Sequence, residues 1–257
     1  MTINATNTVG ELAVTMPGAT RVFEQFGIDY CCGGRRTLSE ACRTRKVQME
    51  DVVRSLEAAR QTPDDSRDWR QESLASLAVY IVEKHHHFTR EEIERLEKLF
   101  DKVCARHGEN HPELFEAQKT FYQLKLDLLP HMLKEEQVLF PYITQMETAV
   151  NQSRAVPQPF FVTVRNPVRM MMTEHDAAGE LLQSLRGSTN DYTPPADACI
   201  SYQTLYQALA GFEADLHQHI HLENNLLFPR AVEMEGGAAP EMQSSAGEFN
   251  EHRCFGH

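Results

Sequence analysis

The sequence is most constrained by one segment that occurs twice. His131–Pro141 reads HMLKEEQVLFP and His219–Pro229 reads HIHLENNLLFP, so His, Glu, Leu, Phe and Pro recur at the same offsets. A His and a Glu four residues apart lie on one face of a helix, close enough to bind one ion or two adjacent ions. The two copies therefore predict two halves of one site.

Both copies belong to apolar stripes with helical spacing, and two more stripes of this kind complete the set. Each of the four stripes carries one histidine, namely His86, His131, His175 and His219. Four successive amphipathic helices predict an all-α fold with an antiparallel four-helix bundle over residues 73–235. Pro130, Pro141 and Pro229 oppose a regular helix, because a proline in a helix interior costs about 3 kcal/mol or more. The stripe keeps its phase across Pro130, so we expect kinks there and not helix ends.

Residues 1–60 have the pattern of a small helical domain that precedes the bundle. Pro17 is suited to the first turn of a helix that Gly27 ends. The segment Asp29–Gly34 reads DYCCGG and is predicted to be a turn, whose paired glycines allow positive φ angles. Thr37 and Glu40 have capping-box spacing and open the next helix. A further helix follows at about residues 49–59.

Two segments are predicted to lie outside these domains. Residues 61–72 are polar, contain a proline and lack periodicity, which is typical of a linker. Residues 236–257 are rich in Gly, Ala and Ser and are predicted to be a disordered tail.

Composition excludes several classes of function. The formal charge of −12 argues against nucleic acid and anionic membranes as partners. No apolar run is long enough to span a bilayer, and the N-terminus lacks the basic and apolar regions of a signal peptide. We therefore expect a cytoplasmic protein. The six cysteines fit this expectation, since two are adjacent, Cys31 and Cys32, and the other four are scattered, which is no disulfide framework.

The glutamates Glu135 and Glu223 are the strongest indication of a metal. A lone histidine on an apolar stripe is usually a hydrogen-bonded core residue. An ionised carboxylate in a core, however, costs several kcal/mol unless it is paired or bound to metal, and neither stripe offers a Lys or Arg. The predicted ligands are His86, His131, Glu135, His175, His219 and Glu223.

Other histidines lie close to these ligands in the sequence and compete with them as candidates. Successive side chains of a helix point about 100° apart, so His85, His86 and His87 cannot all face inward. The face of His86 stays apolar furthest along the helix, and His85 is the alternative ligand. We expect the remaining histidines to lie on the solvated surface: His87, His107, His111, His217, His221, His252 and His257.

The ligand types narrow the choice of ion. No cysteine lies on the stripes, which argues against a thiolate zinc site or an iron–sulfur cluster there. Imidazole and carboxylate ligands in a helix bundle suit a pair of iron or manganese ions, with iron as the first choice and manganese or zinc as alternatives. The simplest arrangement gives each ion two histidines and lets both glutamates bridge. Glu136 and Glu174 adjoin ligands and could accept hydrogen bonds from them or carry protons.

Cys31 and Cys32 provide a second signal. Arg35 and Arg36 follow them, and nearby positive charge lowers the pKa of a thiol. The two cysteines could accept nitric oxide, oxidise reversibly or receive iron from the bundle. The alternative is a turn whose cysteines only pack.

Together these motifs resemble a known family. The bundle resembles the hemerythrin-like domain, and residues 8–235 resemble the di-iron proteins that repair iron centres, the YtfE/ScdA group, whose small N-terminal domain carries the DYCCGG turn. In that family the first ligand lies four residues before an Arg-Glu pair, here Arg90-Glu91, which again selects His86. The family's metal set falls on the six residues named above. Unlike the oxygen-carrying hemerythrins, the chain offers only four core histidines, which argues against reversible oxygen carriage.

The resemblance implies a function in the response to nitrosative and oxidative stress. It implies a non-haem di-iron centre, with or without an oxo bridge, that restores damaged iron–sulfur clusters by donating iron, by reducing nitric oxide, or by both. The implied partners are damaged iron–sulfur proteins, with nitric oxide or dioxygen as small ligands, and vicinal cysteines are compatible with a homodimer. The alternative is an oxygen or nitric oxide sensor, which the lack of a recognisable output domain disfavours.

Overall fold

The computed structural model of the chain describes residues 3–16, 18–60 and 68–237, and most of these residues are helical. The N-terminal domain consists of α1 (Val9–Thr15), α2 (Ala19–Phe26), α3 (Leu38–Arg45) and α4 (Met49–Arg60). Within the described residues, the only β-pairing is an isolated bridge between Thr8 and Thr37. The prediction of an all-α fold is therefore confirmed.

Four long helices form the bundle, and three of them contain a π-helical turn. The first comprises α5 (Leu74–Tyr80), a π turn (Ile81–His86) and α6 (His87–His107). The second comprises α7 (Glu113–Lys134), a π turn (Glu135–Leu139) and α8 (Phe140–Asn151). The third is α9 (Arg165–Ser188), and the fourth comprises α10 (Ile200–Leu222), a π turn (Glu223–Leu227) and α11 (Phe228–Gly237). The first helix packs on the fourth and the second on the third.

Local sequence signals explain how the N-terminal helices begin and end. The predicted capping box opens α3: Thr37 Oγ1 accepts from the Glu40 N–H, and the Glu40 side chain accepts from the Thr37 N–H. Gly27, with φ of 62°, ends α2 as predicted, in a left-handed conformation that favours glycine. Pro17, predicted to start α2, lies outside the described residues.

The bundle core consists of two apolar clusters with a polar layer between them. One cluster contains Phe100, Phe121 and Phe212, and the other contains Ile143 and Phe228. Along each helix the predicted ligands fall between members of the two clusters. The metal candidates therefore occupy the middle of an otherwise continuous core.

The π turns explain how the helices tolerate the prolines of the repeated motif. The Phe140 N–H donates to the Glu135 carbonyl, and the Phe228 N–H donates to the Glu223 carbonyl, both five residues back. Pro141 and Pro229 follow directly in the first turn of the next α-helix. π turns are frequent at functional sites, and here each one contains a predicted ligand. Pro130 lies inside α7, which continues through it.

The predicted linker and tail lie partly outside the described residues. Residues 61–67 of the linker are not described, whereas its last part is held to the bundle by Arg230, which donates to the carbonyls of Trp69 (2.9 Å) and Glu72 (2.7 Å). The predicted tail, residues 236–257, overlaps the end of α11, and residues 238–257 lie outside the description. Among the described helices, none combines the length and the apolar character needed to cross a bilayer.

Candidate metal centre

The six predicted ligands converge in the middle of the bundle as two groups of four. The potential ligand atoms within each group lie within 4.8 Å of one another, and both groups include Glu135 and Glu223. Their histidines differ: the first group contains His86 and His219, and the second contains His131 and His175. All six side chains are buried. The glutamates are thus placed to bridge two ions.

Several polar atoms of this cluster, including both carboxylate oxygens of Glu135, lack the hydrogen-bond partners that a metal-free interior would require. Glu135 is 0% exposed, and neither of its carboxylate oxygens has a hydrogen-bond partner. The nearest imidazole nitrogens, Nε2 of His86 and of His131, each lie 3.4 Å from Glu135 Oε2. Burying an unpaired carboxylate costs several kcal/mol, so a cation is the partner that fits these residues.

The imidazoles also face one another in pairs. His86 Nε2 lies 3.1 Å from His219 Nε2, and His131 Nε2 lies 3.1 Å from His175 Nε2. Two ring nitrogens that each offer a lone pair repel at this distance unless a proton or a cation lies between them. Each pair therefore fits a site that holds a proton or a cation between the two rings.

Two acidic side chains lie within hydrogen-bond distance of the Nδ1 atoms of two candidate ligands, His86 and His131. Glu136 Oε1 lies 2.7 Å from His86 Nδ1 and also accepts from Arg90. A carboxylate on Nδ1 fixes the orientation of the ring and directs the Nε2 lone pair at the metal. The sequence predicts that Glu136 and Glu174 accept hydrogen bonds from the ligands.

Glu174 occupies the equivalent position behind His131. Its Oε2 lies 2.7 Å from His131 Nδ1, and its other oxygen is bonded to Lys134. The hydrogen bond from His131 lowers the pKa of Glu174 to about 2, so this carboxyl is ionised at neutral pH. Glu174 and Glu136 thus have matching roles in the two halves of the cluster.

The electrostatics of the cluster show what replaces a metal when none is bound. Burial lowers the pKa of His131, but the charge of Glu135 and the hydrogen bond to Glu174 outweigh this and raise the pKa to about 10. Burial raises the pKa of Glu223, yet the charge of His219 and the hydrogen bond of His175 hold it well below its usual value. A metal-free centre therefore holds protons, and metal binding must release them.

The third histidine is held by an amide that the sequence did not single out. His175 Nδ1 lies 2.9 Å from Asn224 Oδ1, and Asn224 Nδ2 donates to the carbonyl of Cys31 (3.3 Å). The Cys32 thiol donates to the backbone carbonyl of His175 (3.4 Å). The cysteine turn is thus attached directly to a candidate ligand.

The glycines of the DYCCGG turn, Gly33 and Gly34, do not adopt the positive φ angles that they allow. They are required instead for close approach: a Cβ at Gly34 would lie 2.7 Å from Asn225 Oδ1, and one at Gly33 would lie 2.9 Å from the Asp29 carbonyl. Asn225 Nδ2 in turn donates to the carbonyl of Tyr30 (2.9 Å), so the turn lies tightly against the bundle.

The environment of Cys31 corrects one expectation. Arg35 and Arg36 were expected to lower the thiol pKa. The structure buries Cys31 and places its sulfur 3.9 Å from Cys32 Sγ and 3.4 Å from Asp29 Oδ1. The hydrogen bond to Cys32, burial and the Asp29 charge raise the pKa of Cys31 well above its ordinary value. This thiol stays protonated at neutral pH.

Two other histidines are more buried than the sequence suggested. His85 is buried beside His86, because a π turn changes the direction of successive side chains; its Nδ1 lies 3.0 Å from both oxygens of Asp215, and its ring stacks on His219. His221, expected on the surface, is 3% exposed and lies under the ring of Tyr30. Sequence patterns could not show that the N-terminal domain covers this face of α10.

Comparison with family models divides the chain into two regions. Residues 5–60 match a domain of unknown function, DUF542, and residues 77–231 match the hemerythrin HHE cation-binding domain. The second match covers more than half of the chain and contains all six candidate ligands. The buried His/Glu cluster therefore lies inside a bundle of the hemerythrin cation-binding type, and its side chains fit a metal-binding site.

Individual proteins match both regions at once. The chain is 37% identical to the iron-sulfur cluster repair protein YtfE of Edwardsiella ictaluri over 224 residues, which cover 87% of this chain and 96% of that one. It is 34% identical to a probable iron-sulfur cluster repair protein of Haemophilus influenzae, with coverage of 87% and 96%. It is 36% identical to the YtfE protein of Yersinia pestis, with coverage of 88% and 97%. The chain belongs to the iron-sulfur cluster repair protein family, in which a DUF542 domain precedes a hemerythrin HHE domain.

Proposed function

We propose that the chain is a di-iron protein that repairs iron–sulfur clusters damaged by nitrosative or oxidative stress, by donating iron and by reducing nitric oxide at the same centre. The observation that carries this proposal is the pair of four-residue groups that share Glu135 and Glu223. Each group offers two imidazoles and two shared carboxylates, which is a ligand set suited to iron in a helix bundle.

The charge of the cluster supports release of iron as well as binding. Glu135 and Glu223 are the only acidic side chains in the two ligand groups. Two carboxylates neutralise only part of the positive charge of two ferrous ions. One ion should therefore leave more readily than from a carboxylate-rich site. A proton can take the place of the ion, because the pKa of about 10 at His131 keeps this imidazole protonated at neutral pH in the metal-free protein.

The residues around the cluster hold and orient it. Iron bound there would supply open coordination positions at which a diatomic ligand such as nitric oxide binds. Glu136 and Glu174 orient His86 and His131 through their Nδ1 atoms, and both carboxylates reach partly to solvent. They therefore provide a polar connection between the buried imidazoles and water.

We further propose that Cys31 and Cys32 are redox or iron-delivery residues of the same process. Their attachment to His175 supports this role, since Cys32 Sγ lies 3.4 Å from the His175 carbonyl. Replacing both with serine should leave iron binding in place and reduce cluster repair. Unchanged repair and unchanged nitric oxide chemistry in that variant would contradict the role.

We also propose that the protein is cytoplasmic and that its partners are damaged iron–sulfur proteins. Nitric oxide or dioxygen would be its small ligands, and the chain would form a homodimer. Sedimentation of the iron-loaded protein tests the dimer directly.

Repair is tested by incubating the iron-loaded protein with an enzyme whose iron–sulfur cluster has been damaged by nitric oxide. The control receives the same amount of free ferrous iron. We expect the protein to restore activity faster than the control, with loss of iron from its own centre, and to consume nitric oxide under reducing conditions. A protein that binds nitric oxide but neither consumes it nor transfers iron would be a sensor, and this result would overturn the proposal.

A further inference from the structure

A second set of metal-binding side chains lies on the turn between α2 and α3, outside the bundle core. Ligand atoms of Asp29, Cys31 and Cys32 all lie within 4.8 Å of one another. Asp29 Oδ1 is 3.4 Å from Cys31 Sγ, and the two sulfur atoms are 3.9 Å apart. Two thiols and a carboxylate are thus gathered within the radius of one coordination sphere.

The backbone of the turn holds the carboxylate against the thiols. Asp29 Oδ1 accepts the N–H of Cys31 (3.2 Å) and the N–H of Cys32 (3.0 Å). The absence of a Cβ at Gly33 allows the close return of the chain, since such an atom would lie 3.0 Å from Asp29 Oδ2. The turn is therefore built around Asp29, and the position of its carboxylate beside the sulfur atoms follows from that structure.

The cluster opens into a cavity between the N-terminal domain and the bundle. This cavity has a volume of about 430 Å³, and its lining includes all three side chains together with Glu24, Asp191 and Glu213. At about 30 Å³ per water molecule, it has room for a hydrated ion. Arginines in the lining, such as Arg186 bonded to Glu213, balance part of the negative charge. The lining of the cavity therefore carries charges of both signs.

The same turn contacts the centre of the bundle on its other side. Cys32 Sγ lies 3.4 Å from the His175 carbonyl, and Asn224 joins the Cys31 carbonyl to His175 Nδ1. The turn thus borders the cavity on one side and contacts His175 of the buried cluster on the other.

We propose that Asp29, Cys31 and Cys32 form a second metal site that takes one borderline or soft divalent ion, with ferrous iron as its cargo between the bundle centre and a client protein. This inference deepens the proposed function and rests on it for the identity of the cargo. Two thiolates and one carboxylate suit such ions. On binding, two S–metal bonds and one O–metal bond form, two thiol protons pass to water, and no electron is transferred.

The number of ligands suits exchange more than storage. Three protein ligands leave at least one coordination position open, which an incoming client thiolate or a departing bundle ligand can occupy. The competing explanation is that Cys31 only packs against the bundle core and the turn binds no ion. Only a metal site would let the intact, iron-loaded protein take up an additional thiophilic ion.

The test is a titration of the full-length, iron-loaded protein with Cd²⁺, followed by thiolate-to-cadmium charge-transfer absorption. We expect one additional equivalent to bind with retention of the bundle iron. Asp29→Asn should weaken this binding at least about tenfold, because the amide oxygen still accepts the two backbone N–H groups but the charge is lost. Cys31→Ser with Cys32→Ser should abolish the signal.

Matched variants separate this site from the other thiols. Cys199→Ser removes an exposed thiol and should leave the Cd²⁺ signal unchanged; Cys254→Ser is expected to do the same. Wild-type protein without the signal, or Asp29→Asn with wild-type affinity, would overturn the inference. Failure of cluster repair with an intact Cd²⁺ site would count instead against the proposed function, because the titration does not depend on iron donation.

Discussion

At the scale of single residues, Asn224 is the side chain that joins the two domains to a metal ligand. It contacts His175 Nδ1 through Oδ1 and the Cys31 carbonyl through Nδ2. The neighbouring Asn225 contacts the Tyr30 carbonyl and His221 but no candidate ligand. The pair therefore provides a variant and a control that differ by one position.

We predict that Asn224→Leu lowers iron affinity about 10- to 100-fold, because His175 loses the partner that fixes its ring. Asn225→Leu should loosen the N-terminal domain and leave iron affinity nearly unchanged. Competition with a coloured ferrous chelator measures both. Equal iron affinities for the two variants would show that Asn224 does not position His175.

A second prediction concerns the reactivity of Cys31. Its pKa is raised by the hydrogen bond to Cys32, by burial and by Asp29, so the reactive thiolate is scarce at neutral pH. We expect iodoacetamide to modify Cys31 in the folded protein far more slowly than the exposed Cys199. Mass spectrometry of the digested protein after short exposures measures both rates. Similar rates would show that the turn opens readily or that the thiol is ionised.

At the scale of helices, the regular parts of the molecule were predictable and the irregular parts were not. Apolar spacing predicted the four bundle helices, and the same stripes singled out the six side chains that converge. The sequence predicts the capping box at Thr37. The equivalent box of Thr8 and Glu11, which opens α1, has the same spacing but was not predicted. It was visible in the sequence as Thr-Val-Gly-Glu.

The π turn Ile81–His86 changes the direction of successive side chains, so that His85 is buried together with His86. The choice of His86 as the ligand agrees with the group that it forms with Glu135, His219 and Glu223. No local pattern distinguishes a π turn from an α-helix, since its stability here depends on the packing of the bundle. Hydrophobic periodicity alone therefore gives little basis for choosing between His85 and His86 as the ligand.

The turn at Gly34 leads to a prediction about the contact between elements. An added Cβ would lie 2.7 Å from Asn225 Oδ1, so Gly34→Ala should displace Asn225 and destabilise the protein by about 1–3 kcal/mol. Gly211, inside α10, has nothing within 4 Å of an added Cβ, and Gly211→Ala should stabilise by up to about 1 kcal/mol. Urea unfolding followed by circular dichroism measures the two changes. The same sign for both substitutions would contradict the close approach.

At the scale of the whole molecule, the docking of the N-terminal domain was not predictable from the sequence. Periodicity describes the faces of individual helices, and it cannot show which face another domain covers. The surface location expected for His221 is wrong for this reason, and the contacts of Asn224 were not predicted. The difference between Glu135-Glu-Gln and Glu223-Asn-Asn was the only local signal that the two copies have different neighbours.

Burial under the N-terminal domain makes the stability of the protein dependent on pH. Burial lowers the pKa of His221 to about 4, whereas an unfolded chain has the ordinary value of about 6.5. The unfolded state therefore takes up a proton first as the pH falls, and about 3 kcal/mol of stability is lost between pH 6.5 and 4.

We predict that His221→Gln reduces this loss, because glutamine does not titrate and can still accept from Asn225 Nδ2. Both proteins are compared in the metal-free form, so that acid release of iron does not contribute. The free energy of unfolding is measured at several values between pH 7 and 4. Parallel pH profiles for wild type and variant would contradict the assignment to His221.

The most direct test of the account is the iron content of the purified, reduced protein and of Glu135→Ala with Glu223→Ala. The central claim is that two buried carboxylates are stable in the core because a pair of cations binds them. We predict about two iron ions per wild-type chain and almost none in the variant, with helix content retained by circular dichroism. A folded variant that keeps its full complement of iron would contradict the claim.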